Sequence, residues 1–300
     1  MNTWKSMTVL LMAGMFLVMT GAPATSAGKE IKKDYHETFR VAAGDRLYLV
    51  HGDGDVSITP WEQDELEVTV DYHVEINRVG VGSDPDFEVE FRQEGGTVHV
   101  IGKEKSMTTV GYVSKKQHRY LYTIKAPPTL HLDLEGEDGD VEIERWSGEV
   151  QCVLEDGDLT LTDIAAARTM LELEDGDLFV QDLEGSLTAR SEDGDVDVVR
   201  ARAENLEIRT EDGNVVVDIL PVPELDLHVE TGDGDITVDL AAGLSARFSV
   251  DVDDGGIRLD LPGARIERDE EDSAAGSIGD GAGRIRLRSG DGRVTLRQRD

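Results

Sequence analysis

A chain of 300 residues in which 63 acidic side chains stand against 30 basic ones has a formal charge of −33. That charge repels polyanions, so nucleic acid and anionic membrane are set aside as direct partners. Cys152 is the single cysteine, which excludes an intramolecular disulfide in any compartment.

The chain opens "MNTWKSMTVLLMAGMFLVMTGAPATSA": Lys5, an apolar run from Met7 to about Thr20, then small residues with Thr25 and Ala27 before a cut. This is the layout of a secretory signal peptide, so residues 1–27 are expected to be removed and the protein exported to the periplasm, the cell surface or the exterior. An uncleaved anchor is the competing reading, because the run is only a little short of the roughly 18 to 20 residues that span a bilayer. No cysteine follows the run, which argues against a lipid anchor.

Residues 28–128 read as a β-rich N-terminal part with degenerate repeats. Gly54 sits in "HGDGDVSI" and Gly96 in the weaker "EGGTVHV". Aromatics gather here (Tyr35, Phe39, Tyr48, Trp61, Tyr72, Phe87, Phe91, Tyr112, Tyr120 and Tyr122), as expected of a cap or a wider β layer. Ala126-Pro127-Pro128 separates this part from the regular repeats.

Residues 129–300 carry those repeats. With each motif glycine as position zero, Gly139 is followed by Gly157, Gly176, Gly194, Gly213, Gly234 and Gly255 at steps of 18, 19, 18, 19, 21 and 21, and then by Gly292 after 37. Positions +2 (Val141, Leu159, Leu178, Val196), +4 (Ile143, Leu161, Val180, Val198) and −5 (Leu134, Cys152, Leu171, Ala189) are apolar in every unit. Alternation on both sides of zero predicts two short strands per unit, each with one buried face, and makes Cys152 a core residue. Both strands point into one core, so a turn lies at the Asp-Gly pair, where glycine lacks a Cβ and Asp tolerates the left-handed region.

The expected fold is all-β: a β-solenoid with two short strands per rung of 18–21 residues, rungs stacked in parallel. A further residue at +7 (Trp146, Ile164, Leu183, Ala201, Leu220, Ala241) marks a second corner. An antiparallel hairpin meander is the alternative. Near residues 264–282 a polar segment, "RIERDEEDSAAGS", is expected to bulge as a loop. At the end, "GRIRLRSGDGRVTLRQRD" places Arg286, Arg288 and Arg297 at outward positions, where charge would guard an exposed terminal strand or dock on the acidic body of a neighbour.

The layout resembles the putative-adhesin β-solenoid family of exported bacterial proteins. The matching stretches are "LYLVHGDGDVSITPWEQDELEVTV", "YTIKAPPTLHLDLEGEDGDVEI", the serial "EDGDLTL", "EDGDLFV" and "EDGDVDV" units, and "GDGAGRIRLRSGDGRVTLRQ". The resemblance implies a non-catalytic envelope or surface protein and brings no catalytic residues with it. The turns here are more acidic than the Ser-Gly or Asn-Gly turns expected of that family.

Three functions are compatible with these features. The first is an adhesin-like interaction or scaffold module whose partner is a protein or glycan at the cell envelope, since folding uses the repeated residues and the outward positions vary from rung to rung. The second is a calcium-dependent repeat protein. Stacking would align Asp138, Asp156, Asp175, Asp193, Asp212 and Asp233 in one column and Asp140, Asp158, Asp177, Asp195 and Asp235 in another, and calcium takes six to eight hard oxygens. The third is a polysaccharide-acting solenoid enzyme with paired carboxylates. Against it, the acids recur on every rung where catalysis needs one distinctive cluster, and Trp146, Phe179 and Phe248 stand nearly alone as aromatics in the repeats. The histidines show no metal-ligand spacing, no nucleophile elbow appears, and no cofactor other than calcium is suggested. His131 and His228 alternate with apolar residues and read as outward strand positions.

Overall fold

The computed structural model describes residues 28–105 and 108–299; the expected signal peptide, residues 1–27, lies outside them. The N-terminal part consists of seven strands: β1 (Gly28–Arg40), β2 (Arg46–Gly52), β3 (Asp55–Pro60), β4 (Glu65–Gly82), β5 (Asp86–Glu94), β6 (Thr97–Lys105) and β7 (Thr109–Ala126). The repeats comprise β8 (His131–Gly136), β9 (Val141–Trp146), β10 (Val150–Asp156), β11 (Leu159–Ile164), β12 (Thr169–Asp175), β13 (Leu178–Asp193), β14 (Val196–Asp212), β15 (Val215–Ile219), β16 (Asp226–Asp233) and β17 (Ile236–Leu240). The chain closes with β18 (Ala246–Asp260), β19 (Arg265–Asp269), β20 (Ser273–Ile278) and β21 (Gly283–Gln298).

The molecule is an all-β solenoid. Strands before the motif glycine stack in parallel into one ladder, β2–β8–β10–β12 and onward through the second halves of β13 and β14 to β16. Strands after it form a second ladder, β3–β9–β11 and onward through the first halves of β13 and β14 to β15 and β17. These parallel registers exclude the hairpin meander for the repeats. Equivalent residues pair, as in Cys152↔Leu171 and Leu159↔Leu178, so the +2, +4 and −5 positions form interior columns of buried Val, Leu and Ile. Each such side chain contributes roughly 1.5 to 3 kcal/mol relative to exposure.

Two corners turn each rung. At the first, Gly157, Gly176, Gly194 and Gly213 have φ of 120°, 129°, 141° and 150°, and a Cβ on any of them would meet the backbone of the glycine one rung back. Only glycine fits both the angle and the space. The second corner falls at +6, where Arg145, Asp163, Asp182 and Arg200 all adopt left-handed φ between 51° and 57°. Each costs about 1 to 2 kcal/mol, offset by sending the +7 residue inward. Trp146, Ile164, Leu183 and Ala201 are buried there, whereas Leu220 and Ala241 are only half-buried.

The N-terminal strands seal one end. β7 and β6 add one parallel strand to each ladder; β4 and β1 then extend the second sheet antiparallel, and β5 extends the first. Between them lie Tyr72 stacked on Phe87 at 5.1 Å and Tyr120 edge-on to Phe87 at 5.0 Å. Gly96 is not a degenerate rung turn. It makes the β5–β6 hairpin turn with Gly95, and Val98 and Val100 align with Leu47 and Leu49 before the corner.

The other end departs from sequence order. β21 does not form an exposed terminal strand: it inserts between the β16–β17 rung and β18, parallel to both. Charge explains the order, because β21 is basic and its neighbours acidic. Arg284 and Arg286 meet Asp226 at 3.6 and 4.0 Å, Arg297 donates to Asp239 from Nη2 at 2.7 Å, and Arg288 meets Asp253 at 3.4 Å. The segment near 264–282 is no loop: it holds β19 and β20, an antiparallel pair that covers β18 in the first sheet. The guarded edge is therefore β19, exposed throughout and rich in charge.

Candidate functional site

The acidic corner was the strongest chemical signal in the sequence, and both Asp columns form. At −1, Asp156, Asp175, Asp193, Asp212 and Asp233 are successive register partners. Their carbonyls bind the glycine amides of the preceding rung, as in Gly157 N–H to Asp175 O at 3.2 Å and Gly176 N–H to Asp193 O at 3.1 Å. At +1, each side chain accepts a bond from the backbone one rung on. Asp140 Oδ1 takes the Asp158 N–H at 3.0 Å, Asp158 takes Asp177 at 2.9 Å, and Asp177 takes Asp195 at 2.9 Å. Asp195 then takes Asn214 at 2.8 Å, Asn214 Oδ1 takes Asp235 at 3.0 Å, and Asp235 takes Arg293 at 2.7 Å. The Asp that follows the glycine of each E-D-G-D unit thus satisfies an amide that the turn leaves open. Asn214 fills the same place with the same bond, so the task needs an oxygen and not a charge. Asp138 and all these acids are exposed. Among the described residues no group of three or more His, Cys, Asp or Glu is placed to hold a metal ion.

Just inside this corner, sequence reasoning missed a second column. At −3 stand Ser191, Thr210, Thr231 and Ser289, all buried. Thr210 Oγ1 donates to Asp212 O at 3.2 Å, Thr231 to Gly213 O at 3.1 Å, and Ser289 to Gly234 O at 3.0 Å. These hydroxyls hold the turn carbonyls from within. The signal was present in the fixed −3 spacing, where earlier rungs carry Leu154 and Leu173. The first rung has His51 there, 1% exposed. Burial pushes its pKa down from 6.5 to about 4. Cys152 is fully buried, and burial pushes its thiol up to about 12, as a core residue requires. His131 and His228 lie half-buried on the outer face.

Outside the first sheet, beside the −3 column, runs an open groove of about 960 Å³. Its basic residues all come from the −4 column, whose register crosses the rungs as Glu172, Arg190, Arg209, Glu230 and Arg288. Arg190 pairs with Glu172 at 3.2 Å and Arg209 with Glu230 at 3.6 Å. Val153 adds an apolar residue where the −4 column begins, and Glu155, Glu174, Glu192 and Glu211 of the −2 column form an acidic lip. On the second sheet, Asp197 is held above the usual carboxylate range by burial, then by Asp195 and Asp177.

The parallel solenoid thus presents a laterally open face of mixed charge on its first sheet. The model of the Toastrack DUF4097 family matches residues 45–297, and the chain belongs to that family. Among solved structures it is similar to a putative adhesin from Bacteroides fragilis (12% identity, covering 90% of this chain and 98% of that one, TM-score 0.47). It is also similar to a putative cell adhesion protein from Clostridium sporogenes (14% identity, 90% and 100%, TM-score 0.28). A third is a putative lipid binding protein from Parabacteroides distasonis (11% identity, 88% and 96%, TM-score 0.40). No curated protein matches the chain.

Proposed function

We propose that the protein is a non-catalytic, exported module of the cell envelope or surface that binds a protein or glycan partner through the groove on its first sheet. The observation that carries this reading is the −4 column. Its flanking columns are occupied with holding rungs together, while Glu172, Arg190, Arg209, Glu230 and Arg288 vary in sign along a continuous lateral face. Such a face reads a partner by matching charge along its length.

The test is binding of the full chain to a glycan array and to isolated envelope proteins, alongside the Arg190→Glu, Arg209→Glu double variant. A loss of about tenfold or more, about 1.4 kcal/mol, supports the groove; equal binding by both removes it. Export is checked separately by mass spectrometry of the protein from its own cells. A new terminus at Gly28 supports a cleaved leader, and retention of Met1 overturns it.

A further inference from the structure

At the far end of the second sheet the outward face changes sign. From the Gly139 rung to the Gly234 rung its +1, +3 and +5 positions hold no basic residue. The next two strands bring three: Arg293 and Arg297 of β21 and Arg258 of β18. Register gathers them, because Thr295 pairs with Thr237 on one side and Arg258 on the other, and Arg293 and Arg297 lie two residues away on the same face. All three arginines therefore start within about 7 Å of Thr295 in backbone spacing. With Thr237, Thr295 and Asp260 they line a concavity of about 270 Å³. Only the insertion of β21 beside β18 brings residues 258 and 293 together.

Folding leaves two of these guanidiniums unused. Arg297 holds Asp239 from Nε and Nη2, as Arg284, Arg288 and Arg299 hold Asp226, Asp253 and Asp218. Arg258 and Arg293 are exposed and, among the described residues, their side chains make no ion pair or hydrogen bond. Arg293 also occupies the place where earlier rungs carry the +1 oxygen. Asp235 accepts its amide at 2.7 Å, but arginine has no acceptor to offer onward, so the ladder ends and the side chain has no part in it. Guanidinium forks match the paired oxygens of a phosphate-like anion, and the two threonine hydroxyls add donors between them. The concavity is smaller than the roughly 300 to 1,000 Å³ that encloses a whole small molecule, so it holds one group. Asp260, the one carboxylate in the lining, can accept a hydroxyl from whatever carries that group. The overall negative charge does not forbid such a site. Screening over about 8 Å at physiological salt leaves a small anion to the charges beside it, whereas a long polyanion would also meet the acidic corner.

We propose that Arg258 and Arg293, with Arg297, Thr237 and Thr295, form a binding site for a tetrahedral oxyanion, the phosphate or sulfate group of a sugar ester or the free ion. The site lies on the sheet opposite the groove and does not depend on what the groove binds.

The test is isothermal titration of the full chain at low salt with glucose 6-phosphate, glucose 6-sulfate, inorganic phosphate, glucuronate and glucose. The expected result is saturable binding of both esters, with glucose silent and glucuronate weaker, because a carboxylate offers two oxygens to three guanidiniums. The Arg258→Gln, Arg293→Gln variant is expected to lose about tenfold or more in affinity at an unchanged Tm, since neither side chain supports the fold. The Arg190→Glu, Arg209→Glu groove variant is expected to bind as before. Esters that bind more tightly than inorganic phosphate would set a sugar against Asp260, and equal affinities would assign the site to the free ion; both support it. Failure of every oxyanion to bind would overturn the proposal. So would equal binding by the Arg258→Gln, Arg293→Gln variant, or glucuronate binding as tightly as the esters.

Discussion

In the rungs from Val141 to Leu240 one position performs one task repeatedly: glycine at zero closes the corner, the +1 oxygen holds the next rung's amide, and −5, +2 and +4 fill the interior. In the N-terminal cap each residue is particular. Tyr72, Phe87 and Tyr120 meet once, in one geometry, and antiparallel pairs join segments far apart in sequence, such as Glu67↔Lys125. The rungs draw their stability from nearest neighbours and can be extended or shortened; the cap must be assembled whole. A periodic body is legible from a single sequence because its errors would repeat, whereas a cap is written only once.

Four experiments press on that contrast, beginning with the largest effect. Removing β21 takes out Ile285, Leu287, Val294 and Leu296 and the parallel neighbour of β18. Hydrogen exchange is expected to show β18–β20 losing protection while the cap strands keep theirs. Uniform loss would mean that the molecule melts as one unit and not rung by rung.

A smaller but sharper effect comes from glycine. Gly176→Val drives a side chain into the Gly157 carbonyl at φ 129° and is expected to cost about 4 kcal/mol in denaturant unfolding. Gly95→Asn, at a cap turn with φ 58° and open space around it, is expected to stay within about 0.5 kcal/mol. Similar costs at the two sites would erase the distinction between stacked and unstacked turns.

His51 joins the two regions, and its effect depends on pH. Its folded pKa lies below the unfolded 6.5, near 4, so between those values the unfolded chain binds more protons. Stability is complete above 6.5 and falls as pH drops toward 4, by up to about 3 kcal/mol. His51→Leu, the residue found at the same position in two other rungs, is expected to flatten that slope in unfolding curves taken across the range. An unchanged slope would assign it to other groups.

The smallest effect concerns the acids. Asp177→Ala removes the acceptor of the Asp195 amide and is expected to cost about 1 kcal/mol, while Asp177→Asn is expected to be neutral, as Asn214 already illustrates. Unfolding in EDTA, in calcium and in sodium chloride of equal ionic strength completes the test. A calcium-specific rise in Tm that Asp177→Asn abolishes would turn the column from a turn device into an ion site.

Sequence pattern was sufficient for the corner, the columns and the parallel stack, because each follows from a local rule applied at a fixed period. It was insufficient for strand order at the far end. Ile257 with Leu259 and Val294 with Leu296 suit the same interior columns equally well, and only the charges of β21 against Asp226, Asp239 and Asp253 decide which rung lies inside. The +6 corner was misplaced by one residue because attention fell on the buried +7 side chain; the polar run Arg145, Asp163, Asp182 and Arg200 was the better marker. The −3 hydroxyls passed unnoticed since Ser and Thr look neutral until carbonyls are found waiting for them. The groove was foreseen only as varying outward positions, because its shape depends on how neighbouring rungs stack.

The place of β21 also bears on the order in which the molecule can be finished. A ribosome delivers the chain from its N-terminus, and the rungs of Gly139 to Gly234 have their parallel neighbours as soon as each emerges. β18 does not: its parallel neighbour in both sheets is β21, made more than twenty residues later. Until Gly283–Gln298 appears, the Gly234 rung is an open edge and β18 waits beside it. The final strand acts as a keystone, and a chain halted before it leaves that edge unclosed.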